Sequence, residues 1–195
     1  MVDIWFTSDR HFSHKGSLNW KRDNGLRVRP GFDNVEDMDN FMIEQHNSCV
    51  KPQDRVFDLG DVAWNAVKFD TEIAPKLNGS KRLIPGNHDD LKDQRIMRHY
   101  KKSTLWRLFK DEGFLCTHLP TREDGMRHAV MNMHGHIHEK NIMLQPPFTM
   151  TEDPRYLNVG VEQNNYKPFH MDEVLVYVKK AKAYCELHGI GPAFH

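Results

Sequence analysis

Histidine, aspartate and asparagine recur in this sequence at spacings that could hold metal cations. The stretch AVMNMHGHIHEK carries His134, His136 and His138 at alternate positions, directly after a short apolar run at 129–133. An apolar run this short, bounded by glycine, reads as a buried strand, because helices need longer patterns. In an extended chain residues i, i+2 and i+4 face the same way, so the three imidazoles are expected to project together from a strand's end. Asp9 and His11 repeat the i, i+2 spacing after the run VDIWF, and Asp61 follows Gly60 at the end of RVFDL. A carboxylate has two oxygens and can bridge two cations, which an imidazole cannot. In PGNHD, Asn87 offers a neutral carbonyl oxygen, while His88 beside it points elsewhere and is free to donate a proton. His118 closes the run FLC.

Taken singly, each of these has an ordinary explanation. A strand-end aspartate is commonly a turn former, Pro-Gly-Asn is turn chemistry, and a lone histidine is usually a satisfied core or surface residue. Jointly they carry more weight. Five strand ends present D-x-H, G-D, G-N-H-D, T-H and G-H-x-H in that order. The donor set is three oxygen-bearing side chains and four imidazoles, enough for two cations sharing one bridge. That composition suits Mn, Fe or Zn better than Mg or Ca, which prefer oxygen shells.

The elements that must position these donors are short apolar runs alternating with helical patterns. VDIWF, RVFDL, RLI, FLC, AVMNM and YL are strand-like, and each ends in a polar cluster at its carboxyl end. Asp33 is expected to cap a helix over 33–50, with Glu36 three residues on and Val35, Met38, Met42 and Cys49 along one face. A second helix is expected within 66–77, weakened by Pro75 and closed by Gly79, and a third over about 91–99. STLWRLFKDEGFLCTH reads as a hairpin around 111–113, and 171–187 as a helix with Val174, Val178, Ala181 and Cys185 on one stripe, the alternative being a strand over VLVYV. Such alternation implies an α/β chain whose ligands collect beyond the carboxyl ends of the strands. Two loops stand out: 15–31, where Lys15, Lys21, Arg22, Arg27 and Arg29 surround Trp20, and 139–155, rich in Pro and Met.

The 195 residues are expected to form a single domain, 1–195. Lys+Arg and Asp+Glu each total 27, so no global basic field points to nucleic acid, and no obligatory nucleic-acid or protein partner is expected. Three widely spaced cysteines with no CxxC pair argue against a disulfide framework or a zinc finger and for a reduced, cytoplasmic setting. Neither a signal peptide nor an apolar stretch of roughly 20 residues is visible, so no membrane partner is expected.

The ordered set of motifs resembles the calcineurin-like metallophosphoesterases, whose signature is D-x-H, G-D, G-N-H-[DE], H and G-H-x-H. The match runs from Asp9 to His138, with 158–160 looking like the strand that usually follows, and it is most similar to the small bacterial and phage members that begin D-x-H-F-x-H. The resemblance implies two mixed β-sheets packed as a sandwich flanked by helices, in four layers α/β/β/α. It implies that Asp9, His11 and His138 bind one metal, that Asn87, His118 and His136 bind a second, and that Asp61 bridges. His88 matches the general acid, and Asn87 and His88 would contact substrate. The implied cofactors are two divalent transition-metal ions, Mn²⁺ first, with Fe, Zn or Ni as alternatives. The implied activity is hydrolysis of a phosphate ester, a small phosphodiester or nucleotide, by attack of a metal-bridging hydroxide. The alternatives are a phosphomonoesterase or protein phosphatase, and a non-catalytic, metal-stabilised protein-binding scaffold. His14 and His134 fall outside the shared ligand pattern. Two departures bear on this. The protein phosphatases continue G-D with x-x-D-R-G, whereas this chain reads GDVAWNA, putting Trp64 where an acidic partner for the catalytic histidine would stand. Ser13 occupies a position where relatives often have glycine, which is expected to restrict the loop after His11.

Overall fold

The computed structural model describes residues 2–144 and 151–191. Strands form at β1 (Ile4–Thr7), β2 (Arg55–Asp58), β3 (Ser80–Leu83), β4 (Lys102–Ser103), β5 (Arg107–Phe109), β6 (Phe114–Cys116), β7 (Met131–His134), β8 (Tyr156–Asn158) and β9 (Phe169–His170), all but β4 and β9 in the expected runs and hairpin. They make two mixed sheets, ordered β4-β3-β2-β1-β9 and β5-β6-β7-β8. In the first, β1 to β4 run parallel and β9 is antiparallel to β1. In the second, β5 and β6 form the expected antiparallel hairpin, while β6, β7 and β8 run parallel. Parallel strands covered on both faces read as near-continuous apolar runs rather than alternating ones, which is why 4–7 and 131–134 are uniformly apolar or buried.

The sheets share one core. Phe6 of β1 meets Phe114 of β6 with ring centroids 5.7 Å apart, and Phe57 of β2 meets Phe109 of β5 at 5.2 Å. Such tilted contacts add roughly 0.5–1.5 kcal/mol each to the area they bury. The α-helices of the described residues are α1 (Val35–Cys49), α2 (Ala66–Lys68), α3 (Gln94–Met97) and α4 (Met171–Leu187). Helix α4 adds Val174, Val178 and Ala181 to the shared core, and a second core gathers Met38 and Met42 of α1 with Phe12, Val62, Phe69 and Leu83.

Several local expectations shift. The cap of α1 is Asn34 rather than Asp33, its side chain accepting from the Asp37 amide at 2.8 Å. The buried face of α1 runs through Ile43 and His46 rather than out to Cys49, which is half-buried. The helix expected within 66–77 is α2 followed by a π turn (Phe69–Ile73) and a 3₁₀ turn (Ala74–Lys76), Pro75 being unable to donate to an α-helical ladder. The third helix contracts to α3, because Asp93 takes the cap position inside the expected span. Strands β4 and β9, two residues each, are too short for any sequence pattern to show. Of the Pro- and Met-rich loop, 145–150 lies outside the described residues. Among the described residues no helix is long and apolar enough to cross a membrane.

Candidate metal centre

All five polar clusters lie beyond the carboxyl ends of β1, β2, β3, β6 and β7. The way they present their side chains differs from the extended geometry expected. Strand β1 stops at Thr7, and Asp9 (φ 57°), His11 (φ 48°) and Ser13 (φ 63°) then occupy the left-handed region. Asp61 (φ 53°), His136 (φ 70°) and His138 (φ 51°) do the same. Among the described residues, five of the nine non-glycine residues with positive φ are therefore expected metal ligands. Such conformations cost of order 1–3 kcal/mol each and persist only where the surroundings impose them.

Those surroundings are visible. Between Asp9 and His11, Arg10 is buried and turns the other way, pairing with the Asp58 carboxylate, which also accepts from the Tyr100 hydroxyl at 2.6 Å. From the opposite side Arg29, fully buried, donates to the Asp9 carbonyl at 2.6 Å and the Arg10 carbonyl at 3.0 Å. Ser13 holds its left-handed turn by donating its amide and hydroxyl to Asp39 at 2.9 and 3.0 Å, so serine serves where glycine was expected. The Asp61 loop is fixed by Asp89, which accepts from the amides of Asp61, Val62 and Gly86 at 2.8–3.0 Å.

Two clusters result. Ligand atoms of Asp9, His11 and His138 all lie within 4.8 Å of one another, and so do those of Asp61, His118 and His136. Asp61 joins them: its Oδ2 is 3.5 Å from His11 Nε2 and 3.5 Å from His118 Nε2. Asn87 Oδ1 stands 3.1 Å from His118 Nε2, on the second cluster. His136 and His138 diverge, one to each cluster, because both are left-handed and the His136 amide is anchored on the Asp9 carboxylate at 2.9 Å. The expectation of three imidazoles facing one way is corrected here. His134 stays in β7, fully buried, with Nδ1 2.8 Å from the Gly135 carbonyl. Gly135 is required at its position: a Cβ there would overlap Ser8 Oγ and Asp9 Oδ2.

The ligand groups answer to burial and to one another: burial acts to lower His118 and His138, yet Asp61 and Asp9 raise the first and Glu162 and Asp9 the second. Burial and then the nearby Arg29 charge push the His11 imidazole down to about 3, leaving it neutral. Burial acts to raise Asp61, but hydrogen bonding and charge from His118, with the His88 amide, hold it down to about 2. Burial raises Asp9 to about 6. The fit of a cation rests on an orphaned atom. His11 Nε2 is buried, has no hydrogen-bond partner and lies against the Asp61 carboxylate. A buried polar atom left unmade costs about 1–3 kcal/mol, and a cation is the partner this lone pair and carboxylate both accept. The other ring nitrogens are oriented from behind: His118 Nδ1 is 2.6 Å from the Leu59 carbonyl, and His138 Nδ1 is 3.3 Å from Glu162 Oε1.

At the mouth, His88 is exposed, its backbone amide donates to Asp61 Oδ1 at 2.9 Å, and its ring lies 5.6 Å from those of His11 and Trp64. Trp64, 56 % exposed, stacks flat on His14 at 4.1 Å. Trp20 is half-buried against His138 at 4.5 Å. Arg29 leaves the set of loop cations free to meet a substrate, since it is buried and paired with Glu162, while Lys15, Lys21, Arg22 and Arg27 are exposed.

Sequence reasoning missed Glu162, Asp89 and Asp39. Glu162 carried a faint signal, an acidic residue in NVGVE after β8, and Asp89 followed His88 in PGNHD. Asp39 carried none, since it lies mid-helix in α1. The Asp89 clamp also explains Gly86, where a Cβ would overlap Asp61 Oδ1 and sit 2.7 Å from the Asp61 amide. Gly86→Ala is expected to displace Asp61 and destabilise the chain by about 3 kcal/mol, a Tm fall of roughly 6–12 °C at this size. Calorimetry checks this; an unchanged Tm would show that the two loops separate freely.

No family model matches the chain. The sequence is 31% identical over 186 residues to the uncharacterized protein MJ1445 of Methanocaldococcus jannaschii, covering 93% of this chain and 94% of that protein. It is 30% identical over 113 residues to the Gene 66 protein of Mycobacterium phage L5, covering 56% of this chain and 51% of that protein. Among solved structures it matches the protein of unknown function AQ665 from Aquifex aeolicus with a TM-score of 0.64 at 21% identity, over 89% of this chain and 98% of that one, a likeness of fold.

Proposed function

We propose that this chain, which belongs to the same family as the Methanocaldococcus jannaschii protein MJ1445, is a binuclear-metal phosphoesterase with the four-layer fold of the calcineurin-like metallophosphoesterases. One observation carries the reading: a single carboxylate oxygen of Asp61 lies 3.5 Å from a histidine of each of two Asp/His clusters. Asp9, His11 and His138 would hold one cation and Asn87, His118 and His136 the other, with Asp61 shared. Two divalent cations there would neutralise charge on a phosphate group and acidify water for attack on phosphorus.

The chain's own residues do the rest. Arg10 and Arg29 clamp the backbone on either side of Asp9, so the ligands need no rearrangement when a cation enters. Glu162 and the Leu59 carbonyl set the orientations of His138 and His118. His88 is anchored through its amide rather than its ring, which leaves the imidazole free to donate a proton to a leaving oxygen. The exposed face of Trp64 beside His88 favours an ester bearing a planar group, a small phosphodiester or nucleotide. Three free cysteines support action in the reducing cytoplasm.

Hydrolysis of bis(p-nitrophenyl) phosphate tests the proposal. Protein stripped with a chelator is expected to be inactive and to regain turnover with Mn²⁺ but not with Ca²⁺. Metal uptake with no turnover of this ester or of a nucleotide library would point to the scaffold alternative instead.

A further inference from the structure

A second feature lies apart from the metal clusters, where the two sheets end. Strand β4 closes the first sheet on this side and β5 the second, so among the described residues each borders one strand only. Between them opens a cleft of about 740 Å³. Its apolar lining includes Phe57 and Ile84 in the floor and Leu105 and Trp106 at the rim, the latter two 73 % and 44 % exposed. Four cations surround it, Arg55, Arg82, Lys102 and Arg107, and among the described residues no acidic one lines it.

Elsewhere in this charge-balanced chain buried or half-buried arginines are paired, as Arg10, Arg29 and Arg155 are. Among the described residues no carboxylate lies within ion-pairing distance of any of the four cleft cations. Burial and then the charges of Arg55 and Arg107 weaken the hold of Arg82 on its proton, a sign that these charges are crowded. Crowded like charges beside exposed apolar side chains are unfavourable in the isolated chain, and both penalties are relieved by one kind of ligand.

We infer that the cleft between β4 and β5 binds an extended acidic segment of a partner protein, with an aliphatic side chain seated between Leu105, Trp106 and Ile84 and carboxylates meeting the four cations. The unpaired edges of β4 and β5 offer backbone groups to an added strand. A nucleic acid fits less well. The rings of Trp106 and Phe57 already carry guanidinium groups, Arg127 at 4.5 Å and Arg82 at 5.7 Å, and the remaining apolar lining is aliphatic. The inference is independent of the hydrolytic reading.

The test is fluorescence anisotropy on the full chain with a labelled peptide, Asp-Glu-Leu-Ile-Glu-Asp, against the same peptide with lysine for every acid, the same peptide with serine for Leu-Ile, and a dT12 oligonucleotide. The acidic peptide is expected to bind at least tenfold more tightly than either control peptide and than dT12. Binding is expected to fall at least tenfold in Arg107→Glu and in Trp106→Ala, with hydrolysis of an aryl phosphodiester unchanged. Leu105→Ser, at the most exposed position, is the variant to use where either of those unfolds, with circular dichroism as the check. Equal binding of the lysine peptide, tighter binding of dT12, or acidic-peptide binding that none of the folded variants weakens would overturn the inference.

Discussion

Asp61→Asn is expected to lose metal at both clusters, lowering affinity by more than about 100-fold, the upper range seen when only an outer-sphere partner of a metal ligand is removed. The amide keeps the size of the side chain and one oxygen but removes the negative charge that sits 3.5 Å from both His11 and His118. Its remaining oxygen can keep accepting from the His88 amide, which puts the NH₂, a donor with no lone pair for a cation, in place of the Oδ2 that lies between the two clusters. His11→Ala removes a neutral imidazole from one cluster only and is expected to retain one ion per chain. Metal content by mass spectrometry after equilibration at a fixed Mn²⁺ concentration separates the two. Retention of two ions by Asp61→Asn would remove the shared role of that carboxylate.

His88→Ala is expected to keep both metals and its fold and to lose about 10² to 10⁴ in rate on an ester with an alkoxide leaving group. The loss should be clearly smaller on an ester leaving as p-nitrophenolate, which needs little protonation. The expectation follows from the exposure of the ring and its 5.6 Å contact with His11, close to the clusters without belonging to either. The backbone amide that anchors His88 on Asp61 survives the substitution, so the loop should hold its place. Steady-state kinetics on the two esters decide it. Equal losses on both would assign His88 to binding phosphate instead.

The residues that converge were readable from their types and order, and the way they converge was not. Strand-end placement of Asp9, Asp61, Asn87, His118 and His136 follows from short apolar runs meeting glycine and polar clusters, a local pattern. The left-handed backbone at Asp9, His11, His136 and His138 could not be read locally, because it is imposed by partners far along the chain. Arg10 is held by Asp58, 48 residues away, and Arg29 reaches Glu162, 133 residues away. For the same reason Arg29 read as one more cation of the basic loop 15–31, whereas it is a buried clamp on the Asp9 carbonyl. Helix α4 showed its full stripe, Val174, Val178, Ala181 and Cys185, since amphipathic spacing is local. The broken helical stretch 66–76 was half visible: Pro75 announced a break, but the π turn over Phe69–Ile73, which buries Phe69 and Ile73, answers to packing.

The central claim is that two cations share the carboxylate of Asp61, and calorimetric titration of chelator-treated protein with Mn²⁺ tests it most directly. Two ions per chain are predicted for the native chain, with His11→Ala and His118→Ala each reduced to one and still folded. A stoichiometry of one in the native chain, or two ions retained after both histidines are replaced together, would contradict it.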